Sequence, residues 1–125
     1  MDRDTHTEAE ALSLGTLLEM IASEQSGWSQ QTFGCDKERG PLGALMHLEK
    51  EAREALAAPD DAHEYADCLL LVLDAARRAG FEPLQLLQHA YGKLQICKQR
   101  KWPKPTAKDQ PVEHIREPHE ARKPS

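Results

Sequence analysis

Apolar residues recur at helical spacing through most of this chain. Leu14, Leu17, Leu18 and Ile21 fall three or four apart, which predicts a first helix over residues 7–25. Thr7 is placed to cap it, with Glu8 and Glu10 near the positive end of the helix dipole. Residues 26–40 carry glycines and no sustained period, so they read as a loop bearing Trp28, Phe33, Cys35 and Arg39. Pro41 suits the first position of a second helix, residues 41–57. Pro59 and Asp60 supply a break and the next cap. A third helix over residues 61–79 ends at Gly80, with Arg77 and Arg78 in its last turn, where the dipole favours cations. Pro83 opens a fourth helix reaching about residue 100. Beyond Trp102 the chain holds five of its eight prolines and few apolar residues besides Val112 and Ile115, too few for a core. The pattern predicts an all-α fold, a four-helix domain over residues 1–101, followed by an extended Pro-rich C-terminal arm, residues 102–125, that could pack on a partner subunit.

Rotation by 100° per residue sorts each predicted helix into faces. On the third, Tyr65, Ala66, Leu69, Leu70, Val72, Leu73 and Ala76 share a broad apolar side, and Glu64, Asp67, Leu71 and Asp74 lie opposite. Such a helix is covered on both flanks, one by a core or subunit interface and the other by something that tolerates carboxylates. The second helix groups His47, Glu51, Glu54 and Ala55. The fourth directs Lys93 and Arg100 the same way.

Composition narrows the picture. At 125 residues the chain suits one domain, and its interior must be built largely from Leu and Ala, which favours helices. The formal charge of −5 is uneven: from Lys98 onward eight cations face four acids, and before it eight cations face seventeen acids. An acidic body lacks the basic stripe that nucleic acid requires. Cys35, Cys68 and Cys97 form neither a C-x-x-C nor a disulfide framework. The polar start and the absence of a long apolar run point to a cytoplasmic protein without a membrane segment.

The candidate chemistry lies in two acidic pairs, Glu51-x-x-Glu54 and Glu64-x-x-Asp67, on successive helices joined by a proline turn. Residues three apart share a helix face, so an antiparallel helix pair aims all four carboxylates at one cleft. Crowded carboxylates repel unless a cation separates them, and their oxygens suit Mg²⁺ or Mn²⁺. Lys93 and Arg100 would complement a polyphosphate. Each feature has an ordinary alternative: E-x-x-E is common on solvated helices, surface cations form ion pairs, and Trp28 and Phe33 can simply cover a core. Asp74 is better suited to an arginine partner than to a metal. A di-iron site is disfavoured because no Glu-x-x-His occurs.

Several strings match a known family. They are Phe33-Gly34, Arg39-Gly40-Pro41-Leu42-Gly43, the run from His47 to Glu54, Glu64-Tyr65-Ala66-Asp67, Leu73-Asp74-Ala75-Ala76-Arg77-Arg78, Lys93-Leu94, Arg100-Lys101-Trp102-Pro103 and the run from Pro111 to Arg116. Over residues 28–116 the chain resembles the MazG-like, all-α nucleoside triphosphate pyrophosphatases, in particular the purine branch of dATP/dGTP diphosphohydrolases that includes the phage MazZ enzymes. The resemblance implies a four-helix fold, pairing into homodimers or homotetramers, and cleavage of a purine dNTP, dGTP or dATP, to dNMP and pyrophosphate. It assigns Glu51, Glu54, Glu64 and Asp67 to two or three Mg²⁺ or Mn²⁺ ions, with Glu54 or Glu51 as the catalytic base. It makes Lys93 and Arg100 phosphate ligands; Trp28, Phe33, Arg39 and His47 are further candidates for contact with the base or substrate. Lys50 stands where typical MazG proteins have a second glutamate, and Cys97 where similar proteins carry Asn. Two rival expectations are a house-cleaning pyrophosphatase for other or modified nucleotides and a non-catalytic, metal-binding helical interaction module.

Overall fold

The computed structural model describes residues 9, 11–105 and 107–119. Among these the protein is all-helical, with five helices and no strand. They are α1 (Leu14–Phe33), α2 (Asp36–Arg39), α3 (Leu42–Ala57), α4 (Ala62–Arg78) and α5 (Pro83–Gln99). The all-α expectation holds, but four helices become five, because the expected loop over residues 26–40 is largely helical. The expected Thr7 cap and the acids Glu8 and Glu10 lie outside the described residues. Within them, Ser13 caps α1 through a hydrogen bond accepted from the Thr16 amide.

Tertiary contacts explain why α1 runs past residue 25. Ser29, whose side chain and carbonyl both accept from Arg78, is almost wholly buried, so this stretch gains by continuing as helix despite the unfavourable Gly27. Gly34 then ends it at φ +112°, a conformation that L side chains avoid. Gly40, at φ +71°, ends the single turn of α2 in the same way.

The chain forms two compact units, one up to Leu86 and the other from Leu87 onward. In the first, α3 and α4 pack most extensively, as a helical hairpin with a four-residue turn. Asp61, rather than the expected Asp60, caps α4 by accepting from the His63 amide. The Tyr65 hydroxyl donates to the Pro59 carbonyl and fastens the turn at 2.8 Å. Buried apolar residues are few and small: Ala22, Ala44, Leu73 and Ala75. Leu42, Leu45, Met46 and Leu56 on α3, and Tyr65, Leu69 and Val72 on α4, stay exposed. The apolar side that the periodicity assigns to α4 is thus divided: Leu73 is buried, while Tyr65, Leu69, Leu70 and Val72 stay exposed.

In the second unit, Ile115 N–H donates to the Lys101 carbonyl at 2.7 Å and closes an isolated antiparallel bridge. Trp102 donates its indole N–H to the Cys97 carbonyl and meets His114 edge-on. No helix among the described residues is long and apolar enough to cross a membrane.

Candidate active site

The α3–α4 hairpin brings three of the four predicted acids together. One oxygen from each of Glu51, Glu54 and Glu64 lies within 4.8 Å of the others. The i, i+3 spacing sets Glu51 and Glu54 on one face of α3, and the Asp61 cap starts α4 so that Glu64 falls in its first turn. The crowding raises two carboxyl pKa values. Glu54 is raised first by its hydrogen bond to Glu51 and next by the charge there. Glu64 is raised first by desolvation, then by Glu54 and its other acidic neighbours. Two buried oxygens, Glu51 Oε2 and Glu64 Oε2, have no hydrogen-bond partner, and an orphaned buried acceptor costs about 1–3 kcal/mol. A divalent, oxygen-seeking cation would answer the mutual repulsion and both orphaned oxygens at once.

Asp67 stands one turn beyond Glu64, outside the three-carboxylate cluster. It borders, with Glu51 and His47, a cleft of about 990 Å³, at the upper end of the size of small-molecule sites. His47 Nε2 lies 3.0 Å from Glu51 Oε1. From α1 come apolar Leu17, Met20, Ile21 and Trp28 together with polar Glu24, Gln25 and Ser29, and Leu70 and Leu71 come from α4. Trp28 and Phe33 meet edge-on at 5.4 Å, both line the cleft, and Arg39 lies over the Phe33 ring at 5.8 Å. The cleft thus gathers His47, Trp28 and Phe33, with Arg39 stacked on Phe33. Lys93, exposed, and Arg100, half-buried, belong to the second unit.

The far end of the cleft rests on a buried ionic network that the sequence gives little sign of. Arg77 grips Asp36 through Nε and Nη2, and also donates to Gln25 Oε1 at 2.6 Å and Asp74 Oδ1 at 2.7 Å. Arg78 donates to Asp74 Oδ2, to the Gly34 carbonyl and to Ser29. Burial alone would raise the Asp74 pKa, but its hydrogen bonds from Gln25, Ser29 and the two arginines hold it far below the usual carboxylate range. Asp74 is thus tied to arginines, as its type and position suggest. The arginines themselves read from sequence only as dipole partners. The sole local signal was their i+3 and i+4 spacing from Asp74; nothing marked Asp36 or Gln25.

The described residues thus form an all-helical scaffold with clustered carboxylates beside a ligand-sized cleft. The chain belongs to the dATP/dGTP pyrophosphohydrolase family, whose model matches residues 21–121. It is also similar to the "Eaa protein" of Salmonella phage P22, with 44% identity over 104 residues. That alignment takes in 82% of this chain and 31% of the phage protein, so the chain spans about a third of that relative's length. No solved structure matches the chain.

Proposed function

We propose that the protein is a metal-dependent nucleotide pyrophosphatase that cleaves purine dNTPs, dGTP or dATP, between the α- and β-phosphates. The observation that carries this reading is the cluster of Glu51, Glu54 and Glu64, with its two orphaned oxygens, beside an apolar cleft long enough for a nucleoside. Glu51, Glu54 and Glu64, with Asp67 from the next turn, are the residues that would hold Mg²⁺ or Mn²⁺. Such a cation supplies charge neutralisation for the triphosphate and acidifies water near the scissile phosphorus. Glu54 accepts the proton of the attacking water, which its place in the carboxylate cluster puts within reach. His47 orients Glu51 by their contact. Trp28 and Phe33 flank the base. Phosphate contacts by Lys93 and Arg100 rest on the family resemblance alone.

Pairing into a homodimer or homotetramer belongs to the same proposal. It is supported by the apolar side of α4 and the exposed leucines of α3, which would otherwise stay in water.

Incubation with each dNTP and Mg²⁺ or Mn²⁺, followed by assay of pyrophosphate and dNMP, tests the reading. Pyrophosphate from dGTP or dATP is expected. Its absence with all four dNTPs overturns catalysis, and release of inorganic phosphate alone overturns α–β cleavage.

A further inference from the structure

Gln25 borders the cleft from α1 and is half-buried. Its amide orientation is dictated by its partners. A carboxylate only accepts, so Nε2 faces Asp74 Oδ1, 2.9 Å away; a guanidinium only donates, so Oε1 faces Arg77 Nη1. One N–H and one carbonyl lone pair of this locked amide stay uncommitted beside the cleft. Around it the lining mixes apolar Ile21, Trp28, Leu70 and Leu71 with polar Glu24, Ser29 and Asp74. Ser29 and Asp74 are committed to Arg77 and Arg78, and Glu24, as a carboxylate, donates no hydrogen bond, so Gln25 is the donor offered there.

The placement along the helix axis matters as well. Gln25 hydrogen-bonds Asp74, two turns of α4 beyond Asp67, a rise of about 10 Å. Gln25–Asp74 and Ser29–Arg78 contacts advance together along both helices, so α1 and α4 run the same way there. The acids thus lie towards one end of the cleft and the locked amide towards the other.

We infer that Gln25 is a specificity-determining residue that donates its free N–H to N7 of a purine base whose triphosphate lies at the acidic end. N7 is an acceptor common to adenine and guanine and absent from pyrimidines. The N–H left over lies on the Cγ side of the amide, away from the edge that Asp74 and Arg77 occupy, so it meets N7 alone and serves adenine and guanine alike. Asp74, Arg77 and Asp36 act through Gln25 as positioning residues, because they hold its amide in register.

This rests on the proposed nucleotide reading, and the test separates the two. Binding and turnover are measured for dGTP and for 7-deaza-dGTP, in which a C–H replaces N7, on the wild type and on Gln25→Met. A lost hydrogen bond to a buried donor predicts a 5- to 100-fold weaker binding of the deaza substrate, roughly. The effect should fall on KM with kcat little changed, since base contacts are made equally in ground and transition states. In Gln25→Met the two substrates should become equivalent. Because the comparison is between substrates on one protein, the wild type alone decides if that variant folds poorly. Equal handling of the two substrates by the wild type, or a difference that survives in Gln25→Met, overturns the role of Gln25 while leaving a pyrophosphatase. N7-dependent binding without pyrophosphate release sinks the catalytic reading and keeps this one. No nucleotide binding at all overturns both.

Discussion

Asp74 is the point at which a single substitution should do most damage to the fold. Its two oxygens accept from Arg77 at 2.7 Å, Arg78 at 3.0 Å and Gln25 at 2.9 Å, and from Ser29 as well. The side chains of Arg77 and Arg78 are 7% and 0% exposed, so Asp74→Ala strands two guanidiniums that water cannot reach. Removing one partner of a buried ionic cluster costs about 3–5 kcal/mol. That is a large share of the 5–15 kcal/mol, roughly, that holds a domain together. At about 4 °C per kcal/mol for a chain of this length, the melting temperature should fall by roughly 12–20 °C. Asp36 limits the damage by retaining its grip on Arg77. The pH dependence gives an independent reading. The folded pKa of Asp74 lies below its ordinary value of 3.8, so its stabilisation is fully present above that pH and is lost as pH falls towards the folded value. Asp74→Asn should remove this acid-side slope and lower stability at pH 7. Thermal melts of wild type, Asp74→Ala and Asp74→Asn from pH 7 to pH 3 are the assay. A change below about 2 °C in both variants at pH 7 would refute the argument from burial, since even a weak buried pair exceeds that.

Other consequences are simpler to state. Glu54→Gln and Asp67→Asn should each abolish pyrophosphate release while circular dichroism stays helical; full activity in both would sink the site assignment. Because crowding raises the pKa values of Glu54 and Glu64, the metal-free fold binds extra protons, and these groups lower its stability as pH rises through those values. Added Mn²⁺ should therefore release protons and bind more weakly as pH falls; calorimetry in buffers of different ionisation enthalpy measures this, and binding without proton release would count against it. Gly34→Ala should cost about 1–3 kcal/mol, because a Cβ is strained at φ +112°; an unchanged denaturation midpoint would argue against that conformation. Leu69→Glu, on the exposed apolar side of α4, should shift the light-scattering mass towards a monomer, and an unchanged oligomer would place the interface elsewhere.

Much of the local structure was legible in the residues. Pro41 and Pro83 mark helix starts and Gly80 a helix end, and the spacing of Glu51 and Glu54 gives their shared face. The motif strings around those acids pointed to the family that the comparison finds. The loop over residues 26–40 was misread because Gly27 and the missing apolar period argue for a break. Ser29 overrides both by lying beneath Arg78, 49 residues away in sequence. Asp36, Gln25 and Arg77 were opaque for the same reason, since nothing local distinguishes a surface Arg from one buried among carboxylates.

By itself, then, the sequence determined the helices after residue 40, the carboxylate spacing and the family, because periodicity, capping and motif spacing act over a few residues at a time. Only the tertiary structure decided that oxygens of Glu51, Glu54 and Glu64 converge within 4.8 Å. It alone turned Arg77 and Arg78 inward and locked the Gln25 amide. Those outcomes depend on how α1, α2 and α4 approach in space, where desolvation makes an unpaired charge so costly that distant partners are drawn together.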